Sequence, residues 1–216
     1  VGLIDDIINI RGNGKGVAGL RSSLKFLMIT AIGLALGWFF FDKLDVTAVT
    51  VPFIGVWHLG WLIVPLFAFV VVSAGNAVNI SDGLDGLAGG LAAIAFGGFG
   101  VISLMQGNPL MAGFCFTVVG ALLSYLWFNI YPARFFMGDV GSFALGTSLG
   151  VVAMLTDSLF ILPIIGLVFV LEAGSSLIQI FSKKVFKRKI FISAPVHHHL
   201  EAIGWPETKV TMRFWV

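Results

Sequence analysis

The chain has 216 residues, 58 % of them hydrophobic and only 11 % charged, with a formal net charge of +2 and a mean hydropathy of +1.01. Soluble domains carry about a quarter charged residues, so this composition argues against a soluble protein built on one large core. Six Trp, 21 Phe and 27 Gly suit a membrane protein, where glycine and interfacial aromatics are both favoured.

In chain order, an apolar "VGLIDD" leads into a basic, glycine-rich stretch, and five apolar runs follow. They cover about Leu24–Phe41, Trp61–Ala77, Leu87–Met105, Leu110–Phe128 and Phe143–Leu155 with its flanks. Each approaches the ~20 residues needed to cross the hydrocarbon. A sixth span is expected over Leu159–Phe181, interrupted by Glu172 and Gln179, and "VTMRFWV" opens a seventh. The sequence reads as an all-α polytopic membrane protein, a helical bundle forming a single domain over 1–216. Its start without Met and its finish at "RFWV" lead us to expect truncation at both ends. The lone Cys115 lies in an apolar run and reads as a small buried hydrophobe.

Alternating spans divide the connections between two sides. Residues 1–23, 78–86, 129–142 and 182–209 fall on one side; 42–60, 106–109 and 156–158 fall on the other. Of the 13 Lys and Arg, only Lys43 lies on the second side. Positive charge beside short spans stays in the cytoplasm, so the first side is expected to face it. The segment 182–209 is then a cytoplasmic basic, amphipathic stretch ("KKVFKRKIF") suited to an anionic leaflet, followed by a His-rich loop.

Four polar clusters fall on that side: "LIDD", "NAVNISDGLDG", "FFMGDVGS" and "PVHHHLE". Acids at membrane depth are costly unless paired, hydrated or metal-bound. In the second cluster, steps of three and four place Asn76, Asn79, Asp82 or Gly83, and Gly86 along one expected helical face. In the third, Asp139 stands between Gly138 and Gly141, which leave its carboxylate reachable. Ser142 is a candidate helix cap, and Phe135 or Phe136 offers a face to a base. Asp5 and Asp6 point about 100° apart on a helix, so they do not chelate one ion side by side. His197, His198 and His199 also diverge, which favours ligand contact over a zinc site. Carboxylates among Lys, Arg and His suit magnesium and phosphate. No Walker-type loop or dinucleotide fingerprint is present, and no nucleic-acid partner is expected.

These motifs resemble those of the polyprenyl-phosphate N-acetylhexosamine-1-phosphate transferases over essentially the whole chain. "NAVNISDGLDGLAGG" and "FFMGDVGSFALG" carry the family likeness, and "PVHHHLEAIGWPETKV" is similar to the branch acting on muramoyl-pentapeptide. The resemblance implies ten spans in an intact protein and an inner-membrane, multi-pass location in a bacterium, with the site facing the cytoplasm. It implies magnesium-dependent transfer of phospho-N-acetylmuramoyl-pentapeptide from its UDP-linked form to undecaprenyl phosphate, within membrane lipid. A homodimer is one expected assembly. A sister transferase using UDP-N-acetylglucosamine, and a transporter of lipid-linked substrates, are the competing readings.

On the same resemblance Asp139 is the magnesium ligand and a catalytic residue. Asp5, with Asp6 beside it, is the catalytic base or nucleophile, and His197 joins the catalytic set. Lys15, Lys25, Asn79, Asp82, Asp85, Asn129, Phe136, His198 and His199 bind substrate, with Phe136 stacking on uracil. One departure stands out. The family reads "DDxxK" where this chain has "DDIIN", placing Asn9 at a lysine position. An asparagine bonds phosphate without neutralising it, so either Arg11 or another base substitutes, or the position matters less.

Overall fold

The structure is a computed structural model describing residues 2–4, 7 and 22–216. Its elements are α1 (Ser22–Lys43), strands β1 (Ala48–Val51) and β2 (Gly55–His58), α2 (Ile63–Ser81), α3 (Leu87–Met105) and α4 (Pro109–Asn129). There follow α5 (Gly138–Leu155), α6 (Leu162–Ile165), α7 (Leu167–Val185), α8 (Val196–Ala202) and α9 (Glu207–Trp215). Among the described residues, five helices of 18 to 22 residues are long and apolar enough to cross a membrane. At 1.5 Å per residue such helices match a hydrocarbon layer of about 30 Å. This is an all-α membrane protein.

Two features differ from the expectation. The sixth span divides at Gly166 into the single turn α6 and the 19-residue α7. Helix α7 is as long as the spans but more polar, ending in Lys183 and Lys184 and burying Glu172, Ser175, Gln179 and Ser182. The connection 42–60 contains an antiparallel hairpin, with Ala48 opposite His58 and Val51 opposite Gly55. Each strand is only four residues long, too short for a two-residue period to stand out in the sequence. Asp157 holds the hairpin, accepting from Thr50 N–H at 2.9 Å and from the Thr50 hydroxyl.

The chain forms two compact units, one of residues 1–75 with 137–162 and the other of 76–136 with 163–216. In the first, α1 and α5 each approach α2 through glycine. A Cβ on Gly37 would lie 2.7 Å from the Val64 carbonyl oxygen, and one on Gly146 would lie 2.5 Å from that of Ala74. Small residues let membrane helices pack at this range. Phe40, Val49, Ile63, Phe67, Val70, Val71 and Met154 fill the core between them.

In the second unit α3 and α4 form a helical hairpin. Asn108 starts α4 by accepting from Met111 N–H at 3.1 Å, ahead of Pro109, which needs no donor partner in the first turn. Gly100 faces Phe116 and Gly89 faces Tyr125. Trp215 of α9 lies against Gly90, where a Cβ would meet its indole at 2.2 Å. Large apolar side chains such as Phe26, Trp38, Phe69, Leu123, Trp127 and Ile178 remain exposed, as lipid-facing surfaces require.

Candidate functional site

In the first unit an acid–base pair joins α1 to α5. Asp139 lies in the first turn of α5, where the helix dipole favours a carboxylate. Lys25 of α1 donates to its Oδ2 at 2.7 Å, with the two side chains 24 % and 25 % exposed. The structure thus joins two residues that the sequence marked 114 positions apart. Gly2 packs on the same turn, a Cβ there meeting the Asp139 carbonyl oxygen at 2.7 Å. Ser142 is not a cap: its hydroxyl donates back to the Gly138 carbonyl at 2.8 Å, because the helix already begins at Gly138. Gly141 makes room for Met137, whose Cγ would lie 2.2 Å from a Cβ. Asp5, Asp6, Asn9 and Lys15 lie outside the described residues.

Magnesium takes few protein ligands, one or two carboxylates, and completes its shell with water and substrate phosphate. Among the described residues no group of three His, Cys, Asp or Glu converges as a cage. A single, partly exposed carboxylate suits that sparse mode, so Asp139 is the residue that would hold a magnesium ion.

In the second unit the "DGLDG" segment is a turn, not the continuation of a helix. The expected stripe breaks at Ser81, where α2 ends, and Asp82 N–H donates to the Asn79 carbonyl at 3.2 Å. Gly86 then takes φ +74°, a left-handed conformation that glycine adopts without a Cβ penalty. Asn129 is 3 % exposed and ties this turn to the next loop. Its Oδ1 accepts from Gly86 N–H at 3.1 Å, and its Nδ2 donates to the Phe135 carbonyl at 3.0 Å. The Asp85 carboxylate accepts from Ala133 N–H at 2.9 Å, while Asp85 N–H donates to Glu207 at 2.6 Å. Of the two phenylalanines, Phe135 meets the Tyr125 and Phe128 rings at 5.4 Å and 6.0 Å. Phe136 is 71 % exposed against 47 % for Phe135, and is the more accessible of the two rings.

The histidine segment is held by α7. The chain beyond Val185 runs back along the helix, and the polar stripe receives it in reverse order. Ser182 donates to the Arg188 carbonyl at 2.8 Å. Gln179 accepts from Ile190 and Phe191 N–H at 3.0 Å and 3.1 Å and donates to the Phe191 carbonyl at 2.8 Å. Glu172 Oε2 then meets His197 Nδ1 at 2.7 Å. Residues 186–195 are irregular rather than helical, so these side chains satisfy backbone that no ladder pairs. His198 pairs with Glu201 at 2.7 Å, and His199 Nδ1 accepts from Ile192 N–H at 3.2 Å.

In the sequence Glu172 and Gln179 read as interruptions of a span. The signal for their role was present: 172, 175, 179 and 182 recur at three- and four-residue steps, one stripe of a helix. Glu207 was missed as well, because a single acid after Pro206 carries no local pattern.

The family model for glycosyl transferase family 4 matches residues 1–157. The chain belongs to that family. The glycosyl transferase family 4 match includes Lys25, Asn79, Asp82, Asp85, Asn129, Phe136 and Asp139 and ends before α7 and the histidines. Similarity to curated relatives extends over those too. The chain is 40 % identical over 227 residues to the phospho-N-acetylmuramoyl-pentapeptide-transferase of Chloroflexus aurantiacus, covering 99 % of this chain and 62 % of the relative. It is 42 % identical to the proteins of that name from Listeria welshimeri and Levilactobacillus brevis, covering 100 % of this chain and 66 % of each. This glycosyl transferase family 4 chain therefore spans a little under two thirds of the length of the relatives it matches.

Proposed function

We propose that this protein transfers phospho-N-acetylmuramoyl-pentapeptide from its UDP-linked form to undecaprenyl phosphate, releasing UMP. The observation that carries the reading is the 40–42 % identity, over 99–100 % of the chain, to relatives that bear the name of that transferase. An oxygen of the lipid phosphate attacks the β-phosphorus of the donor. The bond from that phosphorus to the bridging oxygen breaks, UMP departs, and a new pyrophosphate joins sugar to lipid.

Lys15 binds substrate together with Lys25, and His197 joins the catalytic set. Lys25 supplies positive charge beside the phosphates, and Asp139 would hold magnesium. When bound, magnesium would act as a Lewis acid that offsets charge on the phosphate oxygens. Phe136 stacks on the uracil ring, a contact worth about 1–3 kcal/mol. Asn129 and Asp85 hold the turn and the 130–136 loop in shape, while Asn79 and Asp82 offer polar contacts. His198 and His199 serve the nucleotide-sugar end. Asp5, with Asp6, positions or activates the incoming lipid phosphate.

The site is assigned to the cytoplasmic face of a bacterial inner membrane, because of the 13 Lys and Arg only Lys43 lies on the opposite set of connections. The test is UMP release by the full chain in lipid vesicles with undecaprenyl phosphate and each donor in turn. Release from the muramoyl-pentapeptide donor and not from UDP-N-acetylglucosamine is expected. The reverse preference, or no release from either, would overturn the proposal.

A further inference from the structure

Glu172 has no task in that scheme, yet it and His197 are the most completely buried ionisable pair among the described residues, at 0 % and 1 % exposure. Each leaves one polar atom, Glu172 Oε1 and His197 Nε2, buried without a hydrogen-bond partner. A buried group left unsatisfied carries a desolvation cost, so the arrangement calls for a reason. Geometry supplies one. A Cβ on Gly83 would lie 2.5 Å from His197 Nε2 and 3.0 Å from its Cε1. The imidazole is therefore held from both sides, by the Glu172 carboxylate at Nδ1 and by the Gly83 backbone at the opposite edge.

Such a ring cannot yield. Elsewhere an exposed side chain swings aside for an added methyl group, but this one is enclosed and bonded at its far nitrogen. The ring also meets the next histidine, with 4.2 Å between the centroids of His197 and His198. Its placement thus propagates directly to a residue assigned to the nucleotide-sugar end.

We propose that Glu172 is a positioning residue: through His197 it clamps the histidine segment onto Gly83, in the turn that carries Asp82 and Asp85, and so sets how His198 and His199 meet the donor. This rests on the transferase reading for its effect on activity, and not for the clamp itself. Glycine at 83 is required because any Cβ occupies the seat of the imidazole. Gln at 172 preserves the contact, since its amide oxygen accepts from Nδ1–H as the carboxylate does.

The experiment compares the full chain in lipid vesicles with Glu172→Ala, Gly83→Ala, their double variant and Glu172→Gln. Hydrogen exchange over residues 191–202 reads the clamp without reference to activity, and the separate KM values for donor and lipid phosphate read its consequence. Glu172→Ala and Gly83→Ala are each expected to speed exchange and to raise the donor KM by roughly tenfold, as misplacement of binding groups does. The lipid-phosphate KM stays put, Glu172→Gln remains within about threefold of the parent, and the double variant is no worse than the worse single, since both changes release the same ring.

Parental exchange in both Ala variants, equal rises in both KM values, or Glu172→Gln as impaired as Glu172→Ala would overturn the clamp. Should Glu172→Ala fail to fold, Gly83→Ala and Glu172→Gln decide by the same criteria. A parent that releases no UMP refutes the transferase reading instead, and the exchange data still judge the clamp.

Discussion

Lys25–Asp139 and Glu172–His197 are both acid–base contacts of 2.7 Å, set in opposite surroundings. The first is about a quarter exposed on each side, so solvent screens it and its contribution to stability is at most about 1 kcal/mol. The second is enclosed, and removing one partner leaves a buried polar group unsatisfied, at a cost of about 1–3 kcal/mol. Equal distances conceal different uses: an open pair can exchange its partner for a ligand, whereas a closed pair fixes the chain around it.

The sharpest way to break this comparison is Asp139→Ala. Turnover should fall by at least about 100-fold, as when a group that stabilises charge in the reaction is lost, while the unfolding temperature stays near that of the parent. A large drop in stability with residual turnover would reverse the assignment of the two pairs. Next in size is Phe136→Ala, expected to raise the donor KM by roughly 10- to 100-fold through loss of base stacking. Phe135→Ala should instead act on stability, because its ring meets Tyr125 and Phe128. Steady-state kinetics with thermal melting separates them.

Asn129→Ala extends the closed side of the comparison to a neutral group. It strands the Gly86 N–H and the Phe135 carbonyl, at a cost of about 1–3 kcal/mol, measured as a lowered unfolding temperature. The smallest effect is expected of Asp42→Ala. Its contact with Lys43 joins side chains 44 % and 66 % exposed, and such pairs contribute little, so the change should stay within about 0.5 kcal/mol with unaltered kinetics. A measurable loss of UMP release there would show that the second set of connections takes part in the site.

The sequence carried the spans because hydrophobic length is a local property. Each of the five apolar runs became a helix, and α3 reproduced its expected bounds, Leu87–Met105. The hairpin at 48–58 was illegible because its strands are only four residues each, too short for a two-residue period to stand out. Site residues were legible as types and spacings: "DGLDG" marked the turn, and "GDVGS" marked the carboxylate at the start of α5. Partnerships were not. Nothing local to Lys25 or Asp139 names the other, and Glu172 reaches His197 only because the chain reverses along α7. The same holds for the glycines: Gly141 makes room for Met137 and Gly83 for His197, neighbours that spacing alone does not name.

The central claim is that a phosphate bond is exchanged between nucleotide and lipid. A donor radiolabelled in its β-phosphate, given to the full chain in vesicles with undecaprenyl phosphate, tests it most directly. The label is expected to enter the lipid phase together with the sugar, with one UMP formed for each labelled lipid. Label that stays in the aqueous phase, or that crosses the membrane in intact donor without forming UMP, would contradict it.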